Sequence, residues 1–356
     1  MQALLLRCRT GVQFHLGAGS LEETSELLHA DTLFSALANV YALAYDAAGD
    51  WVEHVRSGRI RFSSGLHCAE RSWRPGEPIF FVPRPALRYA GAGRDPSYAK
   101  QLKRVRYVSL GVLAAIRAHL RPGAGDELPA CELDLLGYPR VGGRYACTPD
   151  EVAPYGAGDV EEGGLSATVL VPRVEVRSPT GEDAYYHASG ITFIPIVLPD
   201  GETIRGHFYV LIEHTLDPAD WLRFLACMRL LGDEGVGGER TAGYGWFEDV
   251  REVRDVLPAT GADAGITVSL APVIPAGDDE LSRALHYELF VRGGGSIGLH
   301  GEPRLHRKRV RVMREGALFR GTPRGSLVDV SPDDNPHPHP LLRNGLAFAL
   351  GLEAAP

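Results

Sequence analysis

DPADWLRFLACMRLLGDEGVGGERTAGYG, Asp217 to Gly245, is the stretch on which the reading of the fold turns. Asp217 supplies a capping carboxylate, and Pro218 suits the first helical position, where its missing N–H removes no hydrogen bond. Trp221, Leu225 and Met228 then mark one helical face as far as Gly232. The eleven residues Gly235–Gly245 hold five glycines, a backbone able to turn sharply and approach a ligand closely, with N–H groups expected to face phosphate oxygens. A strand is expected next, over Tyr244–Val250. Helix, glycines, strand is the reverse of the dinucleotide-binding turn, and no G-K-[ST] completes a Walker loop.

Upstream, Phe208, Val210 and Ile212 alternate with His207, Tyr209 and Leu211 in a strand expected over Arg205–Glu213. Ala167–Val176, rich in β-branched residues, predicts a buried neighbouring strand. The chain opens on a strand at Ala3–Arg9, which Val12–Leu16 continues or pairs with. Asp31 then caps a helix in which Leu33, Leu37, Val40, Tyr41 and Ala44 recur until Gly49. From Arg121 to Gly164, 14 of 44 residues are Gly or Pro, and Asp150–Glu162 carries acids without Lys or Arg, so this segment reads as an exposed insertion. Without it the order is β, α, β, β, α, β, that of the ferredoxin-like motif. The expected architecture is therefore α+β: a first domain over 1–257 with an insertion at about 59–165, and a second over 262–356 with strands at Ile266–Leu270, His286–Val291 and Arg307–Met313.

The 356 residues carry 37 Lys and Arg against 45 Asp and Glu, a formal charge of −8, so any polyanion must be held by a local basic patch. Such a patch is RLHRKRVRVMR, Arg304–Arg314, with six cations, His306 and no acid. As a strand it would place Arg307, Arg309 and Arg311 on one face and Val310 and Val312 on the other; charge protection of an edge strand is the competing reading. Lys100, Lys103, Arg104 and Arg106 form a smaller cluster. The five cysteines lack a C-x-x-C pair and are expected to be free thiols in a reducing cytoplasm. The most apolar stretch, Leu33–Tyr45, is shorter than the roughly 20 residues that span a bilayer, so no membrane association is expected. His29 precedes the first helix and is a candidate general base. His337 and His339 lie in NPHPHP without a third ligand nearby, so no metal is expected. GGSIG around Ser296 lacks the helix that a nucleophile elbow needs.

Six segments together resemble the RAMP superfamily of CRISPR-associated RNA-binding proteins, and within it the subunit of the type III-A (Csm) effector complex that holds the 5′ end of the guide RNA. They are VQFHLG (Val12–Gly17), LHADTLFSAL (Leu28–Leu37), KQLKRVRYVSL (Lys100–Leu110), GGERTAGYG (Gly237–Gly245), RKRVRVMREGALF (Arg307–Phe319) and HPLLRNGLAF (His339–Phe348). The resemblance implies two ferredoxin-like, RRM-like domains, no cofactor and no nuclease activity. It also implies three partners: the 5′ tag of the guide RNA, the large polymerase-like subunit and the repeated backbone RAMP subunit. Carried over by position, Gly237, Gly238, Arg240, Thr241, Gly243, Tyr244 and Gly245 would line the RNA groove, with His29, Asp31 and Thr32 beside it. Tyr244 would supply a ring for base stacking. Lys100, Lys103, Arg104, Arg304, His306, Arg307, Lys308, Arg309 and Arg311 would meet the RNA as the basic patches. The competing readings are a metal-independent endoribonuclease of the same superfamily with His29 as general base, and a small-molecule phosphate binder using the glycine loop alone.

Overall fold

The computed structural model describes residues 1–17, 20–71, 74–91, 96–123, 127–153, 164–175, 184–198, 201–257, 265–296 and 305–353. The central sheet is built from β1 (Gln2–Arg7), β2 (Leu66–Arg71), β3 (Thr203–His214) and β4 (Asp249–Val253), in the spatial order β2-β3-β1-β4 with every neighbour antiparallel. Helix α1 (Ala30–Tyr45) lies in the chain between β1 and β2, and α2 (Pro218–Glu234) between β3 and β4. Ala3–Leu6 and Phe208–Ile212 are buried on both faces of their strands, so the central pair reads as continuous apolar runs covered on both sides. Beyond β2 the sheet is extended by Arg74–Pro83, Tyr107–Ser109, Tyr145–Ala146 and Arg140–Val141.

The capping carboxylate of Asp217 does accept from the Asp220 N–H at 2.9 Å, with Pro218 in the first turn. Three other expectations are corrected. Ala167–Val176 is not the neighbour of β3: Ser166–Glu175 pairs along ten residues with Ala184–Phe193, whose far edge meets Gln13–Phe14. The neighbour is β2, where LHCAER has no β-branched residue, and its polar members are accommodated by partners. His67 binds the Tyr145 hydroxyl and the Glu26 carbonyl; Glu70 binds Arg7 and Arg251. The strands Ile60–Phe62, Leu66–Arg71 and Arg74–Pro83, expected within the insertion, thus belong to the sheet. The glycine-rich segment after Arg121 is also less exposed than expected: Cys131, Leu135, Val141, Tyr145, Ala146, Cys147 and Val152 are buried.

The first helix starts two residues earlier than expected, with His29 at the cap position and Asp31 inside the first turn. It stops at Tyr45, where Asp46 takes a left-handed conformation at φ 52°, and a second helix, Ala48–Arg56, folds back. Trp51 of that helix is fully buried between Tyr41, Phe62 and Phe224, with ring centroids 5.4, 5.7 and 5.8 Å away, and its indole N–H donates to the Phe34 carbonyl at 3.0 Å.

The C-terminal sheet contains β5 (Ile266–Ser269), β6 (Ala284–His286), β7 (Leu318–Arg320) and β8 (Ala349–Gly351) in the order β6-β7-β5-β8. The strand expected at His286–Val291 is divided between β6 and a separate strand, Leu289–Arg292, paired with Val310–Met313. A further hairpin joins Gly325–Asp329 to Leu342–Leu346, which packs on α1. One apolar core runs through both regions, from Leu28, Leu33 and Leu37 to Val268, Leu270, Phe348 and Leu350. The Ser64 N–H donates to the Leu270 carbonyl across the boundary at 2.9 Å.

Trp51→Ala is expected to lower the unfolding free energy by about 3–5 kcal/mol through the cavity it leaves among three aromatic rings. A urea midpoint unchanged from wild type would contradict this packing.

Candidate nucleic-acid interface

In the glycine loop, Gly235, Gly237, Gly243 and Gly245 all have φ between 78° and 94°. A Cβ on Gly237 would meet the His15 carbonyl oxygen at 2.4 Å, and one on Gly245 the Val236 carbonyl oxygen at 2.2 Å. The close approach therefore serves the chain itself. The N–H groups of Gly238 and Gly245 donate to the carbonyls of His15 and Gln13, both at 2.8 Å, and those of Gly243 and Tyr244 to Arg240 and Glu239. These four are not free to meet phosphate, contrary to expectation. Tyr244 is 4% exposed, its ring against Gly190 and beneath the Arg173 guanidinium, 5.4 Å from the centroid, so it offers no open face to a base. The loop presents Thr241, Ala242 and Gly243 to solvent, with Arg240 half-buried beside them.

The start of α1 is a buried joint with the C-terminal region. Asp31, 2% exposed, receives Arg292 bidentately at 2.9 and 3.0 Å and a further bond from Arg343. Arg292 also donates to the Thr32 hydroxyl and the Gly17 carbonyl, each at 2.8 Å, which ties the joint to the segment that follows the strand Gln13–Phe14. Burial alone would raise the Asp31 pKa, but Arg292 and then Arg343 hold it well below the ordinary carboxylate range. His29, 3% exposed, makes a 2.7 Å contact through Nδ1 with Glu315, which also accepts from Ser64 at 2.5 Å. Burial opposes the charge on Glu315 as well, and His29 and Ser64 keep its pKa below the usual value.

Beside this joint opens a cleft of about 1000 Å³ lined from both regions. Arg84, Lys103 and Arg106 come from one wall; Tyr287, Phe290, Arg292 and Arg314 come from the other; His29 lies at the base. The Arg314 guanidinium lies over the Phe290 ring at 4.9 Å, and His29 packs against the same ring at 5.0 Å. Acids share the lining: Glu26 pairs with Arg106 and Arg144, Glu288 lies 4.0 Å from Arg314, and Glu23 and Glu315 face the cleft as well. Cations that can pair with phosphates are thus brought together with the exposed ring of Tyr287, which can stack on a base, the pattern of a single-stranded nucleic-acid groove.

Of the expected basic residues, Lys100, Lys103 and Arg104 are exposed on the helix Pro96–Arg104, and Lys103 lines the cleft. Arg304 lies outside the described residues. The expected row Arg307, Arg309, Arg311 does not form, because the strand begins only at Val310. Arg309 and Arg311 are exposed, as is His306, while Lys308 pairs with Asp333 at 2.6 Å and Arg307 turns inward to the Ser35 hydroxyl at 3.3 Å. Sequence reading missed Arg84, Phe290, Arg292, Glu315 and Arg343, and it counted Arg314 in the basic run Arg304–Arg314 without assigning it to the site. Glu315 and Arg343 lay in the quoted segments REGALF and HPLLRNGLAF, and neither segment gave a sign of a partner near residue 30.

Residues 262–352 match the family model of the CRISPR Csm4 C-terminal domain. Over a longer span, the chain is 23% identical to the CRISPR system Cms protein Csm4 of Methanocaldococcus jannaschii, an alignment covering 94% of this chain and 90% of that protein. Both findings liken this chain to Csm4 proteins. Its fold is similar to that of a solved Csm3-Csm4 subcomplex in the type III-A CRISPR-Cas interference complex, with TM-score 0.64, 20% identity and 99% of both chains covered. It is also similar to that of a Csm1-Csm4 cassette in complex with cA4, with TM-score 0.55, 18% identity and 100% of both chains covered. The Csm4 C-terminal domain match contains Arg292, Arg307, Glu315 and Arg343, and so the whole C-terminal side of the joint.

Asp31→Ala leaves two buried guanidinium groups without their carboxylate and is expected to cost about 3–5 kcal/mol of stability at neutral pH. Because the native pKa values of Asp31 and Glu315 are depressed, their stabilisation is complete above the unfolded carboxylate range, at about pH 4, and is lost as pH falls through the lower native values. The difference in urea midpoint between wild type and Asp31→Ala should therefore be large at neutral pH and shrink in acid; a difference independent of pH would be incompatible with this pairing.

Proposed function

We propose that this protein is a Csm4 of a type III-A CRISPR interference complex, a non-catalytic RNA-binding scaffold. It anchors the 5′ repeat-derived tag of the guide RNA, docks the large polymerase-like subunit and meets the repeated backbone RAMP subunit, in the cytoplasm. The observation that carries the reading is the cleft, where Lys103, Arg106 and Arg314 surround Tyr287 and Phe290. In an acidic protein, cations from two distant chain segments converge there beside aromatic rings. In this reading Arg240, Thr241 and Gly243 of the loop tip flank the RNA on one side; His306, Arg309 and Arg311 flank it on the other, with Lys100 and Arg104 further out. Gly237, Gly238, Tyr244 and Gly245 act by shaping the loop. Support for the protein partners comes from the similar Csm4 folds in a Csm3-Csm4 subcomplex and a Csm1-Csm4 cassette.

The strand orders support two ferredoxin-like, RRM-like domains, over about 1–257 and 262–356. In the first, β1-α1-β2-β3-α2-β4 is interrupted by the long excursion between β2 and β3. In the second, β5 to β8 repeat the same spatial order, a five-residue helix Asp278–Ser282 follows β5, and the hairpin Gly325–Asp329/Leu342–Leu346 occupies the chain between β7 and β8.

Complexes purified with Lys103→Ala, Arg314→Ala or Arg240→Ala are expected to retain less guide RNA than wild type. Each variant should lower the slope of log affinity against log salt by about 1. Guide content and salt slope equal to wild type in all three would remove the cleft and the loop from the interface. A scaffold role also requires that repeat RNA incubated with the purified protein in EDTA stays intact; site-specific cleavage lost in His29→Ala would establish the endoribonuclease instead.

A further inference from the structure

Behind the joint, three guanidinium groups meet one carboxylate. Asp31 takes Arg292 and Arg343, and it is the only acid hydrogen-bonded to Arg292, Arg307 or Arg343 among the described residues. Arg292 engages all three of its nitrogens, on Asp31, Thr32 and Gly17. Arg343, 3% exposed, places its remaining terminal nitrogen on the Gly293 carbonyl at 2.9 Å, while its Nε is buried with no acceptor among the described residues. Arg307 contacts Ser35 through one terminal nitrogen, and its Nε is likewise buried and unpaired. Three positive charges and one negative leave an excess of two in a largely desolvated place. Excess buried charge of one sign is costly unless a counter-charge arrives. The physical strain is visible in the arginines: burial, followed by the neighbouring guanidinium groups, pushes Arg307 below its ordinary pKa, and burial is the leading cause of a lowered value for Arg343.

We propose that Arg307 and Arg343, with the N-terminal turn of α1 and Arg292 behind them, form a binding site for one phosphate group, distinct from the cleft. A phosphate offers oxygens in several directions at once, so it can accept from the Nε of both arginines and from the free terminal nitrogen of Arg307. The sixteen-residue helix α1 directs its positive end to the same place. Arg307 is half-buried rather than sealed, and exposed His306 and Arg309 beside it form an electropositive approach. The chemistry suits either a phosphodiester of an RNA backbone or free phosphate. With an RNA phosphodiester as ligand the site deepens the scaffold reading and rests on it, with free phosphate it stands apart from that reading, and its test does not use guide retention.

The test is thermal unfolding of the full-length protein, stripped of nucleic acid in high salt, against inorganic phosphate at constant ionic strength set by chloride. The wild type should be stabilised in a saturable manner that chloride does not reproduce. Arg307→Gln and Arg307→Lys should weaken the apparent phosphate affinity about tenfold or more, the lysine variant included because it keeps the charge and loses the fork. Without phosphate, Arg307→Gln should melt no lower than wild type, since it removes an excess charge; with saturating phosphate the order should reverse. A purely structural Arg307 would give a lower melting temperature in both conditions and would overturn the proposal, as would a wild type indifferent to phosphate. A single-stranded RNA oligonucleotide then separates the sources: competition with phosphate assigns the site to the RNA backbone, and independent binding assigns it to free phosphate.

Discussion

The carboxylate of Asp31 has to remain charged in a place where water does not reach it, and the architecture around α1 follows from that requirement. A buried carboxylate is tolerated only with cations and hydrogen-bond donors in well-defined positions. Here Arg292 arrives from the strand Leu289–Arg292 and Arg343 from the hairpin that packs on α1. These bonds fix the rotation of the C-terminal region about the first helix more narrowly than apolar contact alone, because a shifted register would leave charges unpaired. The same arginine that grips Asp31 also reaches Gly17. In this way the joint, the cleft and the support of the glycine loop share one rigid element.

The cleft is a product of that arrangement. His29 and Glu315 are bonded across the boundary just where the two walls meet, and Phe290 is held between His29 and Arg314. One wall carries rings with Arg314, and the other adds Arg84, Lys103 and Arg106 opposite them. The loop Gly235–Gly245, by contrast, spends much of its hydrogen-bonding capacity on His15 and Gln13. Its glycines are required by close packing and left-handed backbone, and its contribution to any ligand passes through the side chains at its tip.

Local signals in the chain were legible where the physics is local. Asp217-Pro218 announced α2, the glycine run announced a turn, and the apolar blocks of β1 and β3 announced central strands. β2 was hidden because LHCAER looks polar until Glu70 is placed beside Arg7 and Arg251, and His67 beside Tyr145. The β-branched run Ser166–Glu175 suggested a core strand yet forms a ribbon on which Leu170 and Val174 are exposed, paired with a strand bearing Tyr185 at 75% exposure. The joint was the least legible feature. His29, Asp31 and Thr32 were recognised as special, but the arginines that define Asp31 stand 261 and 312 residues away, and no spacing rule connects them.

The position of β1 also sets a clock. Gln2–Arg7 has its two neighbours in Thr203–His214 and Asp249–Val253, so during synthesis this strand cannot be paired until those distant segments have followed it out of the ribosome. At roughly 5–20 residues per second, an apolar segment with both hydrogen-bonding edges open waits on the order of ten seconds or longer for its partners. Nascent chains of this protein therefore pass through a long interval in which LLL, at positions 4–6, is a sticky strand without a sheet, and their yield depends on what shields it during synthesis.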